Sequence, residues 1–218
     1  MTSNAARAVV NHVADRIVQL PFIGPRVAVD GPDGAGKTHF ADLLAGVLQG
    51  RQSPVVRVSV DDFHNVRAVR YRQGRQSPKG FWEDSYNYSR FRTDVLEPFG
   101  PGGSRRFRRA CYSHDTDEII HPSFETADPA AILIVDGIFL QRAALSALWH
   151  LTVFLDVEFT ETARRMALRD GTSPDPDDPS MRRYVQGQRE YFRESNPHDR
   201  ATILIDNNNV RGPRVLRE

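Results

Sequence analysis

The stretch Gly31-Pro-Asp-Gly-Ala-Gly-Lys37-Thr38 constrains this chain more than any other. It matches G-x-x-x-x-G-K-[ST], follows the β-branched run RVAVD (residues 26–30) and precedes apolar residues at helical spacing from His39 to Leu48. Glycines there let backbone N–H groups turn inward around phosphate oxygens, and the helix that begins at the loop adds the favourable end of its dipole. A lysine at position 37 suits β- and γ-phosphates, and the Thr38 hydroxyl suits Mg2+. Gly31, Asp33, Gly34, Ala35, Gly36, Lys37, Thr38 and His39 are therefore the expected contacts of a nucleoside triphosphate, ATP or GTP. The motif specifies a nucleotide rather than a function, because switches, transport ATPases and helicases carry it too. No guanine-reading N-K-x-D is present, and 218 residues leave little room for a motor's second lobe. Phosphotransfer to a small molecule is the reading these absences favour.

The remaining pattern is that of an α/β protein. Residues 4–19 predict an amphipathic helix that ends before Pro21 and Gly24. Strands are expected at 55–60, 131–135, 151–155 and 201–205, and helices at 84–96 (capped by Asp84), 141–148, 160–169 and 181–194. Strands alternating with helices argue for a mostly parallel central sheet covered on both faces, a three-layer αβα arrangement in one domain spanning 1–218. Two segments break the rhythm. Residues about 65–121 read as an insertion, irregular to 81 and a hairpin or a pair of extended segments over 105–121. Residues about 164–185 read as a helical lid around the polar, Pro-rich loop 170–180.

Composition excludes several classes. The net charge of +1 gives no general field for nucleic acid. Cys111 is the only cysteine, so no internal disulfide forms, and no apolar run is long enough for a bilayer. The expectation is a cytoplasmic protein with a small-molecule partner, no nucleic acid and no membrane; oligomeric state, a homo-oligomer included, stays open. Of 29 basic residues only Lys37 and Lys79 are lysines. A lysine kept against that bias fits a place that needs a compact ammonium on a flexible stem.

Three carboxylates follow the phosphate loop at strand ends. VSVDDFH places Asp61 and Asp62 after the second strand, and ILIVDGIF places Asp136 after the third. The carboxyl ends of parallel strands border the ligand crevice. A carboxylate there can accept the proton of an attacking hydroxyl or help hold Mg2+. The same residues would also serve as helix caps, and for Asp61-Asp62 the local pattern does not choose between the two.

Together, GPDGAGKT, VDDFH and ILIVDGIFL resemble the uridine kinase and phosphoribulokinase-type group of P-loop kinases, over roughly residues 25–209, with RRMALRD (164–170) as its lid helix. The resemblance implies a P-loop kinase fold and phosphorylation of a nucleoside hydroxyl, with Asp61 as catalytic base. His64 stands where that group commonly has Tyr, and Asp136 where it usually has Glu; the shorter side chain favours a water bridge to metal. Expected metal contacts are thus Thr38, Asp61 and Asp136, and expected catalytic groups Asp61, Lys37, Arg165 and Arg169. Arg164, Arg182 and Arg183 are further lid candidates. Within the insertion the resemblance puts acceptor contacts at His64, Asp84, Tyr86, Tyr112 and His114, although CYSHDTD (111–117) echoes the family pattern only in part. Arg105-Arg-Phe-Arg-Arg109 reads as a solvated strand edge, an anionic-acceptor site or a subunit contact. The alternatives to a nucleoside are a sugar phosphate, pantothenate or a nicotinamide nucleoside as acceptor, or a nucleotide-switched regulator.

Overall fold

The computed structural model describes residues 3–218. Among them, six strands form the central sheet: β1 (Arg26–Asp30), β2 (Val55–Ser59), β3 (Ile132–Asp136), β4 (Leu151–Asp156), β5 (Ile203–Asp206) and β6 (Arg214–Arg217). Their order is β6-β5-β4-β1-β3-β2, with every pair parallel except β5 and β6.

Side chains on the apolar strands sort by parity, as the two-residue strand period requires. Val27 and Val29 of β1, Ile132 and Ile134 of β3, and Leu151, Val153 and Leu155 of β4 face one layer. That layer is made by α1 (Asn4–Val18) and α2 (Lys37–Gly50), through Val10, Val13, Ile17, Leu44 and Leu48. Ala28, Leu133, Val135 and Phe154 face the opposite layer, filled by Phe63, Phe81, Trp82, Phe91, Phe139 and Tyr191. Being covered on both sides is why β1 and β3 read as unbroken apolar runs rather than alternating ones.

The second layer comes from the insertion and the lid. In the insertion, α3 (Pro78–Asp84) begins at Ser77, whose hydroxyl accepts from the Gly80 amide at 3.0 Å. The expected lid falls on the end of α4 (Phe159–Asp170), the loop after it and the start of α5 (Arg182–Ser195), and α5 packs against α3. Ala163, Met166, Met181 and Val185 give the lid a small core of its own.

Several expectations need correction. Asp84 caps no helix: it ends α3, and the next helical stretch, Tyr88–Phe91 continued by a π-turn over Arg92–Leu96, is capped by Asn87. The residues between, Ser85 to Asn87, break the helix because the chain there pairs His64 with Tyr86. Residues 65–81 are not only loop, since Arg67–Arg70 is a helical turn and α3 starts at Pro78. The hairpin segment splits in two: Tyr112–Ser113 pairs with Glu118–Ile119, whereas Arg106–Phe107 reaches forward to Glu125–Thr126. The last predicted strand lies two residues late in the prediction's frame, at Ile203–Asp206. Edge strand β6 escaped notice because its exposed RVLR has almost no apolar pattern.

Gly137 closes β3 with φ +150°. A Cβ there would lie 2.1 Å from Val60 Cγ1, on the residue just before Asp61. Gly137→Ala should therefore lower stability by about 1–3 kcal/mol, the usual cost of an overpacked site, read as a shift in urea midpoint. An unchanged midpoint would mean that the β2–β3 end is looser than this packing indicates.

Candidate active site

The phosphate loop sits at the carboxyl end of β1, between its parallel neighbours β3 and β4, and three separate anchors hold it from behind. Asn207 Nδ2 donates to Ala35 O at 2.7 Å. Gln188 Oε1, on α5, accepts from the Asp33 amide at 2.6 Å. Arg165 donates to Gly34 O at 3.3 Å and to Asn207 O and Asn208 O at 2.8 Å each, with Glu161 as its counter-ion at 2.7 Å. Two arginines on that carboxylate, Arg164 and Arg165, hold Glu161 down to about 2. Gly36, at φ 87°, turns the chain into α2 through a left-handed conformation that suits glycine. Among the described residues, no protein acceptor meets the amides of Gly34, Gly36, Lys37, Thr38 and His39. These are the orphan donors of a helix start, turned outward as a ready anion cradle. Lys37 is 8% exposed and its Nζ donates to Pro32 O at 2.7 Å, arching over that cradle.

Beneath the loop, Asp30 is fully buried, and burial raises its carboxyl above the ordinary range. It accepts from the Tyr191 hydroxyl and, at 2.8 Å, from the Gly31 amide. It thereby ties the loop to α5.

Thr38 Oγ1 donates to Asp136 Oδ2 at 2.6 Å, joining the starts of α2 and the end of β3. The other oxygen, Oδ1, accepts from Arg57 Nη1 at 2.9 Å, and Arg57 also meets Asp42 at 2.9 Å. Asp136 is 1% exposed, so Arg57 supplies the charge partner that a buried carboxylate needs. No local pattern marked Arg57, one more charge on a partly exposed strand.

Asp61 lies one strand further on. Its Oδ1 accepts from the Tyr86 hydroxyl at 2.7 Å, and its main-chain carbonyl meets His64 Nδ1 at 2.6 Å and His114 Nε2 at 3.0 Å. Asp61 is exposed and Asp62 half-buried; burial first, and then Asp61 beside it, raise the Asp62 carboxyl. Burial likewise lowers His64. Tyr86, at 4% exposure with its ring tilted on His64 at 4.5 Å, fixes which way the Asp61 carboxylate faces.

Two adjoining cavities meet at this point. One, of about 320 Å³, lies over the phosphate loop and reaches Thr38, His39 and Asp136. The other, of about 400 Å³, runs into the insertion past His64, Tyr71, Phe81, Tyr86, His114 and Tyr184. Asp33, Lys37, Asp61 and Arg169 line both. A third cavity of about 420 Å³ opens on the other side of the loop among His39, Phe40, Leu43, Asn207 and Pro213.

Sequence reasoning and structure part company at several residues. Asp84 does not face the insertion-side cavity: it is 2% exposed and committed to Arg72 and, at 2.8 Å, to Gln73. Tyr112 is also behind the lining, its hydroxyl donating to Asp117 at 2.7 Å and accepting from Arg70 at 2.9 Å. Arg165 sits behind the phosphate loop and on the rim of its cavity, while Arg169 reaches the shared wall, 3.7 Å from Asp33. Arg164 and Arg182 face solvent; Arg183 is buried in the acceptor wall. The Arg105–Arg109 cluster lies outside the site, engaged one residue at a time. Arg105 stacks on Phe99, Arg106 and Arg108 on Phe124, and Arg109 pairs with Glu125.

A sheet parallel in all but its edge pair, with an outward-facing amide cradle at the end of β1 and a Thr–Asp pair beside it, defines a P-loop kinase fold. The chain belongs to the Phosphoribulokinase / Uridine kinase family, whose profile matches residues 26–173. A pantothenate kinase of Rhodopseudomonas palustris (strain BisA53) is 33% identical over 186 residues, covering 75% of this chain and 55% of that protein. The chain thus spans about half the length of the curated relatives it matches. Among solved structures, a uridine kinase candidate from Bacillus stearothermophilus superposes with TM-score 0.72 at 19% identity, covering 91% of this chain and 97% of its own. A D-glycerate 3-kinase from Cryptococcus neoformans gives 0.61 at 10% identity, over 96% and 99%. At these identities the structural likenesses speak for the fold. Among the described residues no helix is long and apolar enough to cross a membrane.

Proposed function

We propose that this chain transfers the γ-phosphoryl group of ATP to a hydroxyl of a small molecule held in the cavity beside Asp61. The observation that carries this reading is the shared wall: Lys37 and Asp61 line both the phosphate-side and the insertion-side cavity. A phosphoryl donor on one side and a hydroxyl on the other would meet between an ammonium and a carboxylate. Asp61 receives the hydroxyl proton as the new oxygen–phosphorus bond forms and the bridging bond to the β-phosphate breaks. The free amides of residues 36–39, Lys37 and Arg169 neutralise charge on the transferred group, and the lid that carries Arg169 excludes water. The third cavity, with Phe40 and Leu43 on its wall, suits the nucleobase.

The donor set fits magnesium. Thr38 and Asp136 supply hard oxygen atoms, and no cluster of three or more His, Cys, Asp or Glu forms a cage among the described residues. Mg2+ takes one or two protein ligands of this kind and fills its octahedron with phosphate oxygens and water. Because Arg57 holds one oxygen of Asp136, contact through water suits this carboxylate better than direct ligation. Magnesium, when bound there, supplies charge neutralisation on the phosphate oxygens. Asp61, the other expected metal contact, is left to the acceptor side by its bond to Tyr86.

Nucleoside acceptors fit the rings of His64, Tyr71 and Tyr86, but the carboxylate expected for the ribose diol, Asp84, is turned away. The name carried by the curated relatives adds pantothenate to the candidates. A coupled ADP-release assay with ATP or GTP and a panel of nucleosides, sugar phosphates, pantothenate and nicotinamide riboside tests the reading. A kinase accelerates with one acceptor class. The same slow release with every acceptor would instead indicate a nucleotide-switched regulator and end the proposal.

A further inference from the structure

The part of the insertion-side cavity that is not shared with the phosphate side carries two guanidinium groups that phosphoryl transfer does not use. Beyond the shared wall of Lys37, Asp61 and Arg169, the cavity continues between Arg70, Tyr71, Arg183 and Tyr184. Arg183 is 5% exposed, yet no carboxylate pairs with it among the described residues. Its polar contacts are three main-chain carbonyls at long range: Arg70 O and Ser77 O at 3.3 Å and Arg75 O at 3.4 Å. The faces of Tyr71 and Phe81 lie 5.0 and 5.3 Å away. Burial weakens its hold on its proton and nearby Arg70 adds to that, while Tyr71, Tyr184 and the Asp84 carboxylate act in the opposite sense without cancelling it. Arg70 itself meets Asp117 only at 3.5 Å, and its Nε is buried without a partner. The carboxylates of this region are committed elsewhere, Asp84 to Arg72 and Gln73, and Asp117 to Tyr112 and the Arg67 amide.

Burying a cation without a counter-charge is costly, and a second cation beside it adds to that cost. A ligand anion would remove both penalties, and the planar fork of arginine matches an oxyanion in two-point geometry. We infer that the acceptor is itself an anion, a small hydroxylated carboxylate or phosphate monoester whose charge lies between Arg183 and Arg70 while its hydroxyl lies at Asp61. The inference rests on the phosphotransfer reading for the second half of that placement only. A neutral nucleoside would leave both guanidiniums as they stand.

Matched acceptor pairs test it: hydroxy acids against their primary amides, and sugar phosphates against the free sugars, with uridine as neutral reference. Each is assayed for ADP release and titrated calorimetrically into the full chain with Mg·ADP. The anionic member should lead by about 10- to 100-fold in kcat/KM, the range for a charge-assisted hydrogen bond. Which series responds, carboxylate or phosphate, identifies the oxyanion. Arg183→Gln should raise KM for the anion by a similar factor and leave KM for ATP unchanged, and Arg183→Lys should recover part of the loss. Arg70→Gln provides the second variant should Arg183→Gln melt below the assay temperature. Equal or faster turnover of the neutral members, no calorimetric binding of any anion, or an unchanged KM in a folded variant overturns the inference. Anion binding that needs Arg183 but yields no ADP release would keep this inference and sink the phosphotransfer reading. Brisk phosphorylation of uridine with no charge preference would do the reverse.

Discussion

Lys37→Ala is expected to lower phosphotransfer by at least about 10²- to 10³-fold, the loss typical of removing one preorganised donor from a transition-state charge. The ammonium bends back onto Pro32 O and stays nearly buried, so it is already in place when phosphate arrives. Alanine would keep the amide cradle and remove the one compact cation that both cavities share. Nucleotide affinity should fall less than turnover, because five outward amides remain to bind ground-state phosphates. Lys37→Arg should fail almost as badly, since a planar guanidinium is larger than the space that arches over the loop and cannot be swapped for an ammonium. The folded state should be little affected, as a single side-chain bond to a loop carbonyl is lost. Steady-state kinetics with saturating acceptor, alongside calorimetric titration of ADP, separates these effects. A Lys37→Ala protein with turnover near wild type would mean that the 31–38 loop binds something other than a reacting triphosphate.

Local signals carried the parts of this molecule that are set by neighbours in sequence. The phosphate loop was legible because its glycines, lysine and threonine act through backbone geometry within eight residues. Strands β1, β3 and β4 were legible because burial on both faces leaves runs that are apolar nearly throughout, Thr152 of β4 being the polar exception within them. The acceptor side was not, for a physical reason. Its walls come from residues about a hundred positions apart, such as Tyr71 and Tyr184, that meet only when α5 packs on α3. Periodicity says nothing about such pairs. Aromatic and acidic composition pointed to the right segment but the wrong members: Asp84 and Tyr112 were drawn into the supporting network by Arg72 and Arg70. The density of arginine misled in the same way. A run of four at 105–109 was conspicuous and is structural, whereas Arg57, Arg70 and Arg183, which come from three distant segments, line or support the site. Arg165, expected at the phosphates, spends its donors on four loop carbonyls; its contribution is to hold the cradle's shape.

Asp61→Asn is expected to cut turnover by about 10²- to 10⁴-fold, the range for loss of a positioned general base. The substitution nearly preserves shape, and an asparagine Oδ1 can still accept the Tyr86 hydroxyl, so orientation should persist while basicity is lost. Asp61 lines both cavities but accepts no hydrogen bond from the loop's amides, so KM for ATP should hold while kcat falls. Asp62→Asn is the internal control. Asp62 is adjacent in sequence, half-buried and absent from the walls of both cavities. If phosphotransfer depends on the carboxylate at the shared wall, the two variants must differ by orders of magnitude despite identical chemistry. Equal losses would point to charge in the region rather than to proton transfer at one atom. Near-normal kcat in Asp61→Asn would remove the base from the mechanism. The acceptor hydroxyl would then have to lose its proton without help from the protein, after the bond to phosphorus has formed.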